Sequence, residues 1–569
     1  MFRFKIRLSN HLAFVGAVAL LVSLFSSSCD DILTEEPTNF YDADTYFTSP
    51  SRVEKALLAV YSTFSELDTY GQYVMVYDCD TDISHVKGAD KGHVARDLGH
   101  YFAGPTNAWL EATWKRYYEG IDRANTILEN YNKVVVNNDG EQALLDLYVA
   151  ETKFLRGLIY FDLVRYWGDV PLKLNQSKSE DNFAIARENQ EVVYDQIIKD
   201  MTEAIPYLPW HTDSKLYTGR LSRSAGFGLL SRVYLYRGGY SLRQDGVRSR
   251  PAEYKAYYQK AIQYTDSVIV SGKHALVVND EALGRSGYEK LFRTYCENKI
   301  DLTENIYEID FFNPIGDNKN SGNWGTYNGP EINEKSIYGR ANSFIKTLGT
   351  FYDRFETGDL RRDVAIATFT IDAKNVVKPI VRKKSQNWSP GKWRRNWQTG
   401  PIKNVNNTDV NLALLRYADV LLMNAEAQNE VNGGPTAIAI EYANQVRRRA
   451  FGKNPLVADA LVDLKVGDFN QQTFLTYLQL ERAREFCFEG FRKADLIRWN
   501  ILEETIVATY AKLKEEIANG TQENFTWAAG AAYESKEGFL AGRNELFPIP
   551  QRERIETEGV ITQNPGYPL

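Results

Sequence analysis

From Trp109 onward the apolar positions recur at three- and four-residue steps. The stretch "WLEATWKRYYEGIDRANTILENY" sets Trp114, Tyr117, Tyr118, Ile121 and Ala124 on one stripe, and "LLDLYVAETKFLRGLIYFDLVRYW" resumes the same period after a polar, Asn/Gly-containing connection. That pattern predicts a helical hairpin. A second hairpin follows from "EVVYDQIIKDMTEAIPYLP" and "SRSAGFGLLSRVYLYRG", and "EYKAYYQKAIQYTDSVIVSG" predicts a further helix closed by Gly272. The last pair is "LLRYADVLLMNAEAQNEV" with "PTAIAIEYANQVRRRAFG", Pro435 standing at the start of its second helix and Gly452 after its end. Ala425 and Ala427 are small enough for close helix approach, and the units are of tetratricopeptide-repeat size.

Between Ile300 and about Asn411 the pattern changes: Gly, Asn and Pro rise, helical periodicity fades, and short strand-like runs such as "NIYEIDFF" and "VAIATFTI" appear. The segment from Thr69 to Pro105 is similarly irregular and rich in Tyr, Asp and Gly. The predicted class is therefore mostly α, a tetratricopeptide-like scaffold of helical pairs with an irregular, loop-rich lobe and a few short strands. Long irregular inserts on a rigid scaffold are where function concentrates. Within one of them, "NSGNWGTYNG" spends Trp324 and Tyr327 on a run of turn-forming residues.

Length changes this picture little, since 569 residues exceed what one core organises and imply either several lobes or a repeat architecture that grows by stacking. With 67 basic and 74 acidic side chains the net charge is -7, and the absence of a long basic run argues against nucleic acid as a partner. The 35 Tyr, 28 Phe and 10 Trp supply aromatic packing and recognition surface alike. The chain opens on "MFRFKIRLSNH" and "LAFVGAVALLVSLF", a basic and then an apolar region of secretory-signal proportions, followed by "SSSCDD". A run of small residues ending at Cys29 has the form of a bacterial lipoprotein signal, with Cys29 as the acylated N-terminus. Cys79, Cys296 and Cys487 lack CxxC spacing and indicate neither a disulfide framework nor a zinc site.

The acids Asp78, Asp80 and Asp82 open with the rhythm of a calcium loop, but Ile83 stands where that loop needs glycine and Ala89 where it needs glutamate. A looser calcium site or a set of sugar-hydroxyl acceptors remains open for them. His85, His93 and His100 lack the i, i+4 spacing of a helical metal motif. No HExxH, GxSxG or P-loop pattern occurs, so nothing positive points to catalysis. In "RKKSQNWSPGKWRRNWQ" the rings of Trp388, Trp393 and Trp397 alternate with Lys and Arg, as packed cation–π strands or as contacts to an acidic or sugar ligand. In "LERAREFCFEGFRKADLIRW" the charges Glu481, Glu485, Glu489, Arg492, Asp495 and Arg498 fall at three- and four-residue steps among bulky apolar neighbours. They predict a partly buried, paired network that locks two helical segments.

Taken in order, the lipobox at Cys29, "RYADVLLMNAEAQNE", "ANQVRRRA", "ERAREFCFEGFRKADLIRW" and "ELFPIPQRERIETEGVITQNPGY" resemble the SusD/RagB family of outer-membrane lipoproteins. The resemblance implies a signal peptide over 1–28, a SusD-like N-terminal region with helical pairs over 29–236, and a C-terminal region over 237–569 that includes the irregular lobe. It also implies a protein lipid-anchored and exposed at the cell surface, without enzymatic activity. Its partner would be a SusC-like TonB-dependent outer-membrane transporter, to which it delivers oligosaccharide; peptide ligands in the RagB branch, or surface glycan degradation, are the alternatives. Asp30 and Asp31 resemble the acidic surface-export signal of such lipoproteins. No cofactor is implied, a structural calcium ion aside. The family motifs are scaffold motifs, so ligand contacts are drawn from the inserts: Trp324, Tyr327 and Asn323 from one loop, Asp80 and Tyr73 from the other, and Trp393 from the aromatic-basic run. A sugar ring packs its C–H face on an aromatic plane and its hydroxyls on Asp and Asn. Trp324 either offers such a plane or folds back to plug the lobe.

Overall fold

The computed structural model describes residues 43–178, 182–211, 219–311, 321–399 and 404–568. The signal region, Cys29, Asp30 and Asp31 lie outside them. Residues Met1–Thr48 form one unit, in which the described part holds the one-turn helix Ala43–Tyr46, and Ser49–Leu569 form the other.

The large unit is built on helices packed in chain order. Its scaffold comprises α1 (Pro50–Tyr61), the short α2 (Tyr73–Tyr77), α3 (Ala108–Asn130), α4 (Asp139–Trp167), α5 (Gln190–Ala204), α6 (Arg223–Arg237), α7 (Tyr254–Val270), α8 (Tyr417–Asn432), α9 (Ala437–Ala450), α10 (Gln471–Phe486) and α11 (Arg492–Arg498). From α3 to α9 each helix packs on the next, α7 meeting α8 across the long intervening lobe. The starts are set by side chains: Asn107 accepts from Trp109 and Leu110 N–H at 3.0 and 3.3 Å, and Asn138 from Glu141 N–H at 3.0 Å. Thr436, one residue beyond the expected Pro435, caps α9. The stripe Trp114, Tyr117, Ile121 and Ala124 is buried as its period requires, while Tyr118 is half-buried. Gly157 lets α5 approach α4, for a Cβ there would stand 3.2 Å from the Ile197 carbonyl oxygen.

The region from 300 to 411 is irregular, as its composition predicts, and its strands form two-stranded antiparallel ladders. Strand β1 (Ser84–Val86) pairs with β3 (Ile345–Thr347), Ser84 opposite Thr347, and β2 (Asn305–Ile309) pairs with β4 (Leu412–Arg416), Leu412 opposite Ile309. The first pairing ties the two irregular inserts together across nearly half the sequence.

The charge-rich stretch is broken by Phe488 and Gly490, both at positive φ, into α10 and α11. Its charges are buried and paired, and the network reaches beyond those helices. Arg416 holds Glu489 at 2.9 Å, Glu485 at 2.9 Å and Glu304 at 2.8 Å; Arg361 holds Asp359 and Glu481 at 2.7 Å. Arg449 joins Glu304 to Glu485, and Lys392 donates to Glu489 and to the Glu485 carbonyl. Burial alone would raise the Glu485 pKa, but Arg449, Arg416 and Arg361 pull it well below the carboxylate range. Helices and lobe are thus locked by one ionic core rather than two helices by a local pair.

Candidate functional site

The loop that raised the question of Trp324 is closed by the protein itself. Trp324 is 1% exposed, its indole N–H donates to the Tyr70 carbonyl oxygen at 2.9 Å, and its ring lies 4.6 Å from that of Trp393. It is a plug with no face turned to solvent, which corrects its assignment as a sugar platform. Trp393 is equally buried, seated between Trp324 and Phe292, so it too is packing. The cation–π alternative fits its neighbourhood: Arg293 and Arg394 each lie 4.4 Å over Trp397. Asn323 is buried, its N–H donating to the Gly71 carbonyl at 2.8 Å and its amide to Gln72 Oε1.

Asp80 is also removed from any ligand surface. It is fully buried, accepts from Val86 N–H at 2.9 Å, and holds His100 Nδ1 at 2.6 Å, while His100 Nε2 meets the Gly88 carbonyl at 2.8 Å. An acceptor at each ring nitrogen favours the protonated imidazole; burial opposes this, but Asp80 outweighs it and raises the His100 pKa. Asp78 accepts from the N–H groups of Arg492 and Lys493, and burial pushes its pKa up to about 7. Asp82 binds Arg492 at 2.7 Å. The three acids spend their oxygens on protein partners, Asp78 and Asp82 both on Arg492, and among the described residues no group of three or more His, Cys, Asp or Glu is placed to hold a metal ion. The calcium rhythm here is the rhythm of a structural turn.

What the buried loop does is hold other rings at the surface. Between α1 and α2 the chain makes a wide turn, Leu67–Gly71, and Gly71 is required there: a Cβ would fall 2.7 Å from the Glu66 carbonyl oxygen and 3.1 Å from that of Ser321. This tight contact, with the Trp324 and Asn323 hydrogen bonds, clamps 66–73 against 321–327. The clamp puts Tyr73 and Tyr327, both half-buried, on one surface; Tyr327 and Asp68 lie near enough to Tyr73 that, after burial, they are what raises its pKa. Tyr73 is stacked on Trp109, centroids 3.8 Å apart and planes within 5°. The Tyr327 hydroxyl lies against the Asn342 and Gln72 amides, and its ring is 5.2 Å from Phe344, which in turn lies 6.0 Å from His93.

Trp109, Tyr73, Tyr327, Phe344 and His93 therefore form an arc of partly exposed rings. Polar groups edge it: Arg116 grips both Asp68 oxygens at 3.2 Å and Glu119 at 2.8 Å. Flat apolar faces beside fixed hydrogen-bonding groups suit a pyranose, whose C–H face and equatorial hydroxyls need both. Sequence reasoning missed Trp109 and Phe344. The signal for Trp109 was available: it opens α3 off the Trp114–Tyr117–Ile121 stripe, and a large ring off the buried stripe needs some other cover.

A SusD family model matches residues 303–567, and a second model, starch-binding associating with outer membrane, matches residues 41–235. The chain belongs to the SusD family. Among its relatives, a SusD-like protein of Formosa agariphila is 25% identical over 530 residues, covering 86% of this chain and 90% of that one. A SusD-like protein of Bacteroides ovatus is 24% identical, covering 87% and 83%. A SusD homolog from Bacteroides thetaiotaomicron has a crystal structure that superposes with a TM-score of 0.81 at 29% identity, covering 92% of this chain and 98% of its own. A surface glycan-binding protein A from the same organism, solved in complex with laminarihexaose, shares the fold with a TM-score of 0.66 at 21% identity, covering 90% and 99%. The mostly-α, helical-pair architecture is thus the SusD fold, and the family places the chain among glycan-binding proteins associated with the outer membrane.

Proposed function

We propose that this SusD-family protein is a non-catalytic, lipid-anchored glycan receptor on the outer face of the outer membrane, which captures oligosaccharide on the Trp109–Tyr73–Tyr327–Phe344 arc and passes it to a SusC-like TonB-dependent transporter. The observation that carries the reading is the arc: two irregular inserts, far apart in sequence, are clamped together at the cost of burying Trp324 and Asn323, and the result is a row of rings turned partly to solvent. Tyr73 and Tyr327 act as ligand contacts, joined by Trp109 and Phe344. The laminarihexaose complex of a protein with the same fold supports a sugar over a peptide as ligand.

The test is affinity electrophoresis of the soluble domain through a panel of polysaccharides. Retardation by at least one glycan, without new reducing ends on prolonged incubation, is expected; turnover of the glycan would make the protein an enzyme. Cys29→Ala should release the protein from membranes, and gentle extraction of the native protein should recover a large outer-membrane barrel with it. Membrane retention of the Cys29 variant without the transporter, or recovery of free lipoprotein alone, counts against the anchor and the partner respectively.

A further inference from the structure

The arc is electrically uneven. Arg340 is exposed and forms no ion pair among the described residues. Its backbone position aims it at the arc: Ala341, bridged to Ile332, is buried, so its neighbours Arg340 and Asn342 project to the opposite side, and Asn342 lies against the Tyr327 hydroxyl. Around the same rings, Lys87 donates its N–H to the Phe344 carbonyl at 2.9 Å, and Lys346 follows Ile345, whose N–H donates to the Tyr327 carbonyl at 2.9 Å. Lys87 and Lys346 share a single carboxylate oxygen, Glu331 Oε2, at 3.2 and 3.0 Å.

Beneath them the guanidinium of Arg395 is spent on carbonyl oxygens of Tyr338, Arg340 and Val405 at 2.8, 3.0 and 3.0 Å, and Asp409 acts on it only at longer range. Lys87 and Lys346 thus share the Glu331 carboxylate, while Arg340 and Arg395 form no ion pair among the described residues, at one end of the arc, in a chain of net charge -7. The far end carries Asp68 and Glu119 against Arg116 and has no such excess. Neighbouring cations with little compensating charge raise the local positive potential, and a planar guanidinium matches carboxylate and sulfate groups with two parallel hydrogen bonds.

We infer that the arc takes an acidic glycan, a uronate- or sulfate-bearing chain whose anionic group docks on Arg340 while its rings pack on Tyr327 and Phe344. This rests on the glycan-binding reading of the same site and goes further by naming the ligand class and its specificity residue.

The experiment titrates wild-type protein, Arg340→Gln, Trp109→Ala and the remote charge control Lys255→Gln with three probes: polygalacturonate, dextran sulfate and neutral laminarin. The expected result is binding of an acidic probe, weakened about tenfold or more by Arg340→Gln, the loss of the paired charge-assisted hydrogen bonds, by added salt and by Trp109→Ala, with Lys255→Gln unchanged. Preference for polygalacturonate assigns a carboxylate, preference for dextran sulfate a sulfate. Laminarin bound and lost only in Trp109→Ala overturns the inference and leaves glycan binding standing. Equal weakening by both charge variants, or polyglutamate bound in place of either acidic glycan, also overturns it, and no glycan bound by the wild type overturns both readings.

Discussion

Truncating Trp324 separates a buried clamp from a binding platform. Trp324→Ala removes a fully buried ring packed against Trp393 and leaves the Tyr70 carbonyl oxygen without its indole donor. Large-to-small substitution of a buried aromatic costs ~3 to 5 kcal/mol, and an orphaned buried acceptor ~1 to 3 kcal/mol. The two effects overlap at one site and do not simply add, so we expect a loss of ~4 to 6 kcal/mol in unfolding free energy. Trp324→Phe keeps most of the packing and loses the hydrogen bond, and should cost ~1 to 3 kcal/mol. Urea unfolding at constant m-value measures both. Affinity should fall only through loosening of the loop that carries Tyr327. Unchanged stability in Trp324→Ala with binding abolished would refute the clamp and return the ring to the ligand.

The ionic core gives a second expectation: Glu489→Ala leaves Lys392 and Arg416 without that carboxylate and should cost ~3 to 5 kcal/mol of stability, with the affinity of the folded fraction intact; calorimetric melting and titration of one sample check it. The buried His100–Asp80 pair gives a pH dependence. Because the folded pKa of His100 is raised, its stabilisation is complete below its unfolded value of about 6.5 and is lost as pH rises through the folded value. The stability gap between wild type and His100→Asn should therefore shrink from pH 5 to pH 9, and a gap that widens would contradict the assignment. Asp82 behaves oppositely: Arg492 and Arg354 outweigh burial and depress its pKa, so Asp82→Asn should cost stability at neutral pH and progressively less as the solution is acidified below about 4.

Local chemistry wrote the scaffold plainly. Helix periods and the Gly272 and Gly452 stops are short-range signals, and the corresponding helices form; of the charge steps, Asp495 and Arg498 pair within their helix, whereas Glu485, Glu489 and Arg492 take partners far away in the chain. The inserts were legible as inserts but not in their contents, because burial there is decided by contacts that no local pattern encodes. Trp324 reads as exposed from its Gly/Asn neighbours, yet its partner is a carbonyl oxygen 254 residues away. Asp80 reads as a ligand acid until His100 is brought to it across a loop. Trp109 was hidden by the opposite error, a regular helix whose stripe explains every ring but that one. Arg340 carried no signal in sequence, since the charge around it depends on Lys87, Lys346 and Arg395 being gathered from three segments.

The central claim is that the Trp109–Tyr73–Tyr327–Phe344 arc is the glycan surface. Isothermal titration of Trp109→Ala with a glycan that the wild-type protein binds tests it most directly, since Trp109 is half-exposed and its loss removes the ring stacked on Tyr73 without opening the core. The account predicts a loss of at least ~2 kcal/mol, roughly thirtyfold in affinity, with the melting temperature essentially unchanged. Wild-type affinity in this variant would contradict it.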